Sequence, residues 1–117
     1  MGSGNLGESF GHAVSGMVQA FVSQRNMKIH GLAALISVSG GFLFRLNRLE
    51  WGMLILTIFF VLVSETINTS VEKTVDLVTL EYHPLAKAAK NLAAGAVLLS
   101  AINAVIMGFI IFGPHIF

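Results

Sequence analysis

Residues 51–80 read WGMLILTIFFVLVSETINTSVEKTVDLVTL. The first half, Trp51 to Val63, is almost wholly apolar. The second half carries Glu65, Asn68, Glu72 and Asp76, with no Gly or Pro between them to break a helix. Each residue of a helix advances about 100°, so with Glu65 at zero, Glu72 falls at about −20°, Asp76 at about +20° and Asn68 at about −60°. Ile67, Val71 and Val78 fall on other faces, and Val75 borders the stripe beside Asn68. One helix therefore begins as a membrane span and ends as a scaffold for a stripe of three carboxylates and a carboxamide. An ionisable residue near the bilayer centre costs roughly 2.5–3.5 kcal/mol on insertion scales. Glu65 directly follows the run FFVLVS, so it needs compensation or a purpose. The plain alternative is that these groups only hydrogen-bond neighbouring helices. Three acids on one stripe repel one another, and a divalent ion is their natural neutraliser. Oxygen donors suit Mg²⁺, which keeps waters and takes one or two carboxylates together with substrate phosphates.

The rest of the chain agrees with a lipid solvent. Of its 117 residues 55% are hydrophobic and only 11% are charged, where a soluble domain carries about 25%. Mean hydropathy is +0.79. Too few charges remain to wet a globular surface. A net charge of +1 argues against nucleic acid as a partner, and the lack of cysteine removes disulfides and thiolate metal sites.

Two further apolar stretches, 31–46 and 92–112, flank the first. With borrowed ends they predict spans over about 29–48, 51–80 and 85–112, against the roughly 20 residues a crossing requires. Ahead of them Phe10, Val14, Met17, Val18, Phe21 and Val22 recur at helical spacing among polar residues. They predict an amphipathic surface helix over about 9–27. Residues 1–7 read as a flexible or appended start, and 8–117 as one membrane domain. The short loops fall at 45–50 and 81–84. Pro84 suits a first helical turn, where no amide donor is needed. The last helix is rich in small residues (Ala93, Ala94, Gly95, Ala96, Ala101, Ala104, Gly108), which permit close helix approach. With a cytoplasmic N-terminus, Arg25, Lys28, Lys73, Lys87 and Lys90 lie inside and only Arg45 and Arg48 outside, as the positive-inside rule favours. Three helices alone cannot enclose a deep site, so a closed homo-oligomer with sites at its interfaces is expected.

The run Glu65-Thr66-Ile67-Asn68-Thr69-Ser70-Val71-Glu72-Lys73-Thr74-Val75-Asp76 resembles the signature of the prokaryotic diacylglycerol kinase family. That signature is a glutamate, an asparagine three later, small hydroxyl residues, a second glutamate and Val-Asp. The segment Arg25-Asn26-Met27-Lys28-Ile29-His30 is similar to the Gram-positive branch, whose members chiefly phosphorylate undecaprenol. The resemblance implies a homotrimer with three transmembrane helices and a surface helix per subunit, in the bacterial plasma membrane. MgATP would enter from the cytoplasm and the lipid alcohol from the bilayer. It implies Glu65 as general base, with Asn68 positioning the transferred phosphoryl group. Glu72 and Gln24 would lie at the metal. His12, Gln24, Glu72, Asp76, Glu81, Tyr82, His83, Lys90 and Asn91 would surround the nucleotide. Glu65 and Ala94 would lie at the lipid. Two positions depart from the family. Gln24 stands where a metal-binding glutamate is usual before Arg-Asn, and Asn91 where Lys-Asp is usual. Each is an amide in place of a carboxylate, by natural drift or by deliberate substitution, and each is expected to weaken catalysis while preserving shape. Diacylglycerol is the alternative acceptor, and a catalytically weakened member of the fold the alternative role. A small multidrug transporter of similar length would need four spans and a glutamate in an early helix.

Overall fold

A computed structural model describes residues 5–117; the first four, within the stretch read as a flexible or appended start, lie outside the described residues. The described chain is all helical: α1 (Leu6–Ser23), α2 (Arg25–Leu43), α3 (Arg48–Val78) and α4 (Pro84–Ile116). Helix α1 starts earlier than position 9 because Asn5 caps it, its Oδ1 accepting the Glu8 backbone N–H at 2.6 Å.

The expected surface helix over 9–27 is broken at Gln24, whose extended backbone (φ −100°, ψ 121°) ends α1 and opens α2. No Gly or Pro marks this break. Helix α2 then stops at Leu43, short of the expected 48, in a Schellman turn. Leu46 N–H donates to Gly41 O at 3.1 Å and Arg45 N–H to Phe42 O at 3.3 Å. Arg45 holds the left-handed position (φ 53°) that glycine usually takes there. Two residues on, a capping box starts α3: Asn47 Oδ1 accepts Glu50 N–H at 2.8 Å, and Glu50 Oε1 accepts Asn47 N–H at 3.0 Å. The last helix runs past the expected end at 112 and takes in Pro114. A proline so close to a helix end costs a single intrahelical bond.

Helices α3 and α4 form the main packed pair, α2 lies on α3, and α1 lies on α2. Two helices, α3 and α4, are long and apolar enough to cross a membrane. At 31 and 33 residues they extend about 46 and 50 Å, past the roughly 30 Å hydrocarbon core. Their polar ends therefore reach the headgroups and water. The buried apolar core is small: Leu46, Leu54 and Ile111, with Trp51, Met53 and Phe112 packed against it. Large apolar side chains such as Leu56, Phe59, Leu98, Leu99 and Phe109 stay mostly exposed. Water would not tolerate so much bare apolar surface on so small a core. Lipid, or further protein, covers it.

Gly41 lets α2 approach α3 beside Trp51. A Cβ there would lie 2.6 Å from Trp51 Cη2, with two more ring atoms within 3.1 Å. Three rigid ring atoms cannot all yield, and Phe42 already packs on the indole at 4.9 Å between ring centres. Gly41→Ala is expected to cost about 1–3 kcal/mol, read as a lower thermal unfolding midpoint in detergent.

At the same end Glu50 Oε2 lies 2.8 Å from His115 Nε2 and ties the end of α4 to the start of α3. The Asn47 backbone N–H, and then the His115 hydrogen bond, hold the Glu50 carboxyl below the usual carboxylate range. A depressed carboxyl contributes stability above its unfolded pKa and loses it as pH falls through the folded value. Glu50→Gln is therefore expected to lower the unfolding midpoint at about pH 7, with the difference from the parent shrinking toward about pH 3.

Candidate active site

The stripe read from residues 65–76 lies on α3, and packing divides it by depth. Glu65 and Asn68 are buried, whereas Glu72 and Asp76 are exposed. Asn68 Nδ2 donates to Glu72 Oε1 at 2.7 Å, one turn along the helix. Two buried oxygens, Glu65 Oε2 and Asn68 Oδ1, have no hydrogen-bond partner. Leaving such an acceptor unmade costs about 1–3 kcal/mol, and more for a charged group. A pair of unpaired acceptors one turn apart is a cost that folding alone does not explain. Beyond them Asp76 Oδ1 accepts from Lys90 Nζ at 2.7 Å, bridging α3 and α4 near the loop. Lys90 is thus held on the stripe, while Lys87, three residues earlier, is exposed.

Gln24 and His12 line a groove of about 500 Å³ between α1 and α3. Its α3 wall carries Thr66, Thr69, Ser70 and Lys73, not Glu72. Met17 joins the two helices there, as the acceptor of Thr66 Oγ1 at 3.8 Å. Within one chain, then, Gln24 and Glu72 do not line a common recess. Among the described residues no three His, Asp or Glu side chains gather closely enough to hold a metal ion. Glu81, Tyr82 and His83 form the exposed α3–α4 turn. His83 is committed there to structure, its Nδ1 accepting the Leu85 N–H at 3.1 Å as the cap of α4. Asn91 and Ala94 are exposed on α4.

One neighbour of the stripe escaped the sequence reading. His30 Nε2 lies 3.7 Å from Glu65 Oε2, the unpartnered oxygen. The available signal was a histidine directly before the apolar stretch 31–46, since an ionisable residue at such an edge is a candidate functional group.

An all-helical membrane protein whose longest polar feature is a carboxylate–carboxamide–carboxylate stripe, with a lysine on its water-facing end, has the parts of a phosphotransferase acting at the bilayer surface. Comparison with known proteins gives the family: the prokaryotic diacylglycerol kinase model matches residues 11–112, and the chain belongs to that family of lipid kinases. It is 42% identical over 109 residues to the undecaprenol kinase of Bacillus subtilis (strain 168), covering 93% of this chain and 89% of that protein. It is 45% identical over 105 residues to a diacylglycerol kinase of Synechocystis, covering 89% of this chain and 60% of the relative. Against the diacylglycerol kinase of Escherichia coli K12 it is 29% identical over 105 residues, or 90% and 86% of the two chains.

Proposed function

We propose that this chain transfers the γ-phosphoryl group of ATP to the hydroxyl of undecaprenol at the inner face of the bacterial plasma membrane. The observation that carries the reading is the buried, unpartnered Glu65 Oε2 one turn from the Asn68–Glu72 pair. A buried carboxylate with an oxygen that accepts no hydrogen bond is placed to take a proton from a lipid alcohol. Asn68 Oδ1 lacks a partner as well, and its amide orients Glu72 toward the water-facing end. Phosphoryl transfer asks mainly for alignment and charge neutralisation, which these groups and Lys90 supply.

The oxygen donors fit Mg²⁺. An exposed carboxylate steered by an amide matches an ion that takes one or two carboxylates and fills its shell with water and phosphate. Glu72 would hold the ion, with the Gln24 amide oxygen as a further donor, and the bound cation would supply charge neutralisation for the ATP phosphates. His12, Asp76, Glu81, Tyr82, His83, Lys90 and Asn91 are the proposed surroundings of the nucleotide, and Ala94 faces the lipid.

Helix α2 serves as a third span in this reading. Its 19 residues extend about 29 Å, just enough to cross, with Arg25 and Lys28 snorkelling at the inner face. Phe10, Val14, Val18 and Val22, spaced by four and all exposed, give α1 the apolar face of a helix lying in the interface. The large exposed apolar faces of α3 and α4 favour a homotrimer, in which a neighbouring subunit supplies what one chain leaves open at Glu72 and Gln24.

Undecaprenol is favoured because the match to an enzyme of that name spans 89% of that protein, against 60% of the Synechocystis diacylglycerol kinase. Diacylglycerol is the second reading, supported by the Synechocystis and E. coli relatives. Labelled transfer from MgATP into detergent or bicelles holding both lipids decides between them. Undecaprenyl phosphate is expected to dominate. Equal or greater labelling of diacylglycerol would overturn the preference.

A further inference from the structure

Beside Glu65 stands a titratable group to which the mechanism above gives no task. His30 projects from α2, with its side chain 20% exposed against 3% for Glu65, and its Nε2 is 3.7 Å from Glu65 Oε2. It borders a cavity of about 230 Å³ lined by α2, α3 and α4. Of the other polar groups on that wall, Ser37 donates its hydroxyl to Ala33 O at 2.8 Å and Thr57 to Met53 O at 2.7 Å, each within its own helix. His30 is the one titratable side chain among the described residues lining the space. From α3 only Glu65 faces it within ion-pair distance. The α4 wall, Ala101 to Phe112, carries no charge. On α2 itself Lys28 lines a separate, outer groove with Phe21 and Leu32, and α1 meets this part of α2 through Phe21 on Gly31.

We propose that His30 is a positioning residue that orients Glu65 and relieves it of the proton drawn from the lipid hydroxyl. The inference rests on the reading of Glu65 as general base. As the lipid oxygen bonds to the γ-phosphorus, the bond from that phosphorus to the β–γ bridging oxygen breaks and ADP leaves. The hydroxyl proton passes to the Glu65 carboxylate, then to Nε2 of neutral His30, and from the imidazolium to water through its exposed edge. The sum is lipid alcohol plus ATP giving lipid phosphate, ADP and one proton. At 3.7 Å the pair is too far apart for a hydrogen bond, but such contacts are often long before substrate binds and tighten in the reacting complex. The need is physical. A carboxyl group left protonated in so enclosed a place cannot serve the next turnover, and His30 is its nearest titratable route outward.

His30→Gln keeps the size and hydrogen-bonding capacity of the side chain and removes its titration. In the full-length protein it is expected to lower kcat about tenfold or more, with KM for MgATP unchanged. It should also flatten the acid limb of the kcat–pH profile, because the amide cannot take up the proton that Glu65 sheds. Wild-type kcat, or a reduced kcat with the acid limb intact, would overturn the proposal, since a packing role alone leaves the profile's shape alone. A second measurement is independent of turnover and of how the His30 variant folds: the ring ¹⁵N signals of His30 compared between the parent and Glu65→Gln. They are expected to move, and unmoved signals overturn the proposal. Should the parent chain phosphorylate no lipid alcohol, the kinase reading falls by itself, and the ring signals still decide for or against the His30–Glu65 couple.

Discussion

Glu65→Gln is expected to lower lipid phosphorylation by about 10²–10⁴-fold, the range general-base catalysis supplies, while leaving the protein at least as stable as before. The two halves of this expectation share one cause. Glu65 is buried, and its Oε2 has no hydrogen-bond partner. A carboxylate so placed costs the fold, whereas an uncharged amide of the same shape costs less. Activity and stability therefore separate at this position, as they do where a site is held in a form that folding alone would not choose. The checks are the kcat for labelled transfer and the unfolding midpoint in the same detergent. Retained turnover would remove Glu65 from the reaction. A large loss of stability would mean that the carboxylate is a structural group whose partners lie elsewhere.

The second large effect is a gain. Gln24→Glu combined with Asn91→Asp is expected to raise kcat about tenfold, equivalent to roughly 1.4 kcal/mol off the barrier. Gln24 joins α1 to α2, yet its side chain makes no cap hydrogen bond to α2. It is free to turn into the groove it shares with His12 and Lys73. A glutamate there would offer a full charge to a cation where the amide offers one neutral oxygen. It would also sit at the positive end of the α2 dipole, a placement worth about 0.3–1 kcal/mol. Asn91 follows Lys90, which already pairs with Asp76, and an aspartate would add a second acid at that end of the site. The magnesium concentration for half-maximal rate should fall as kcat rises. An unchanged rate would show that the two amides do not limit this enzyme.

What the sequence made legible follows from which features are local. The stripe from Glu65 to Asp76 was readable because one uninterrupted helix fixes its angles, and the Asn68–Glu72 bond at 2.7 Å is the contact that spacing of four residues permits. The capping box at Asn47 and Glu50 was equally local, and reading it would have placed the start of α3 at 48 instead of 51. The break at Gln24 and the left-handed turn at Arg45 were not legible, since neither carries the glycine or proline that usually announces such points. Contacts such as Lys90–Asp76, His115–Glu50 and His30–Glu65 depend on how helices pack. No periodicity encodes them. The grouping of Gln24 with Glu72, drawn from the family pattern, is not made within one chain, and the proposed trimer is where it would be completed.

The most direct test of the account is metal-dependent transfer of the γ-phosphate of ATP to lipid, compared between the purified chain and Glu72→Gln. The account predicts label in a lipid phosphate only when Mg²⁺ is present, with ATP-analogue binding that strengthens on adding Mg²⁺ and loses that response in the variant. Lipid labelling without divalent metal, or nucleotide binding indifferent to both Mg²⁺ and Glu72, would contradict it.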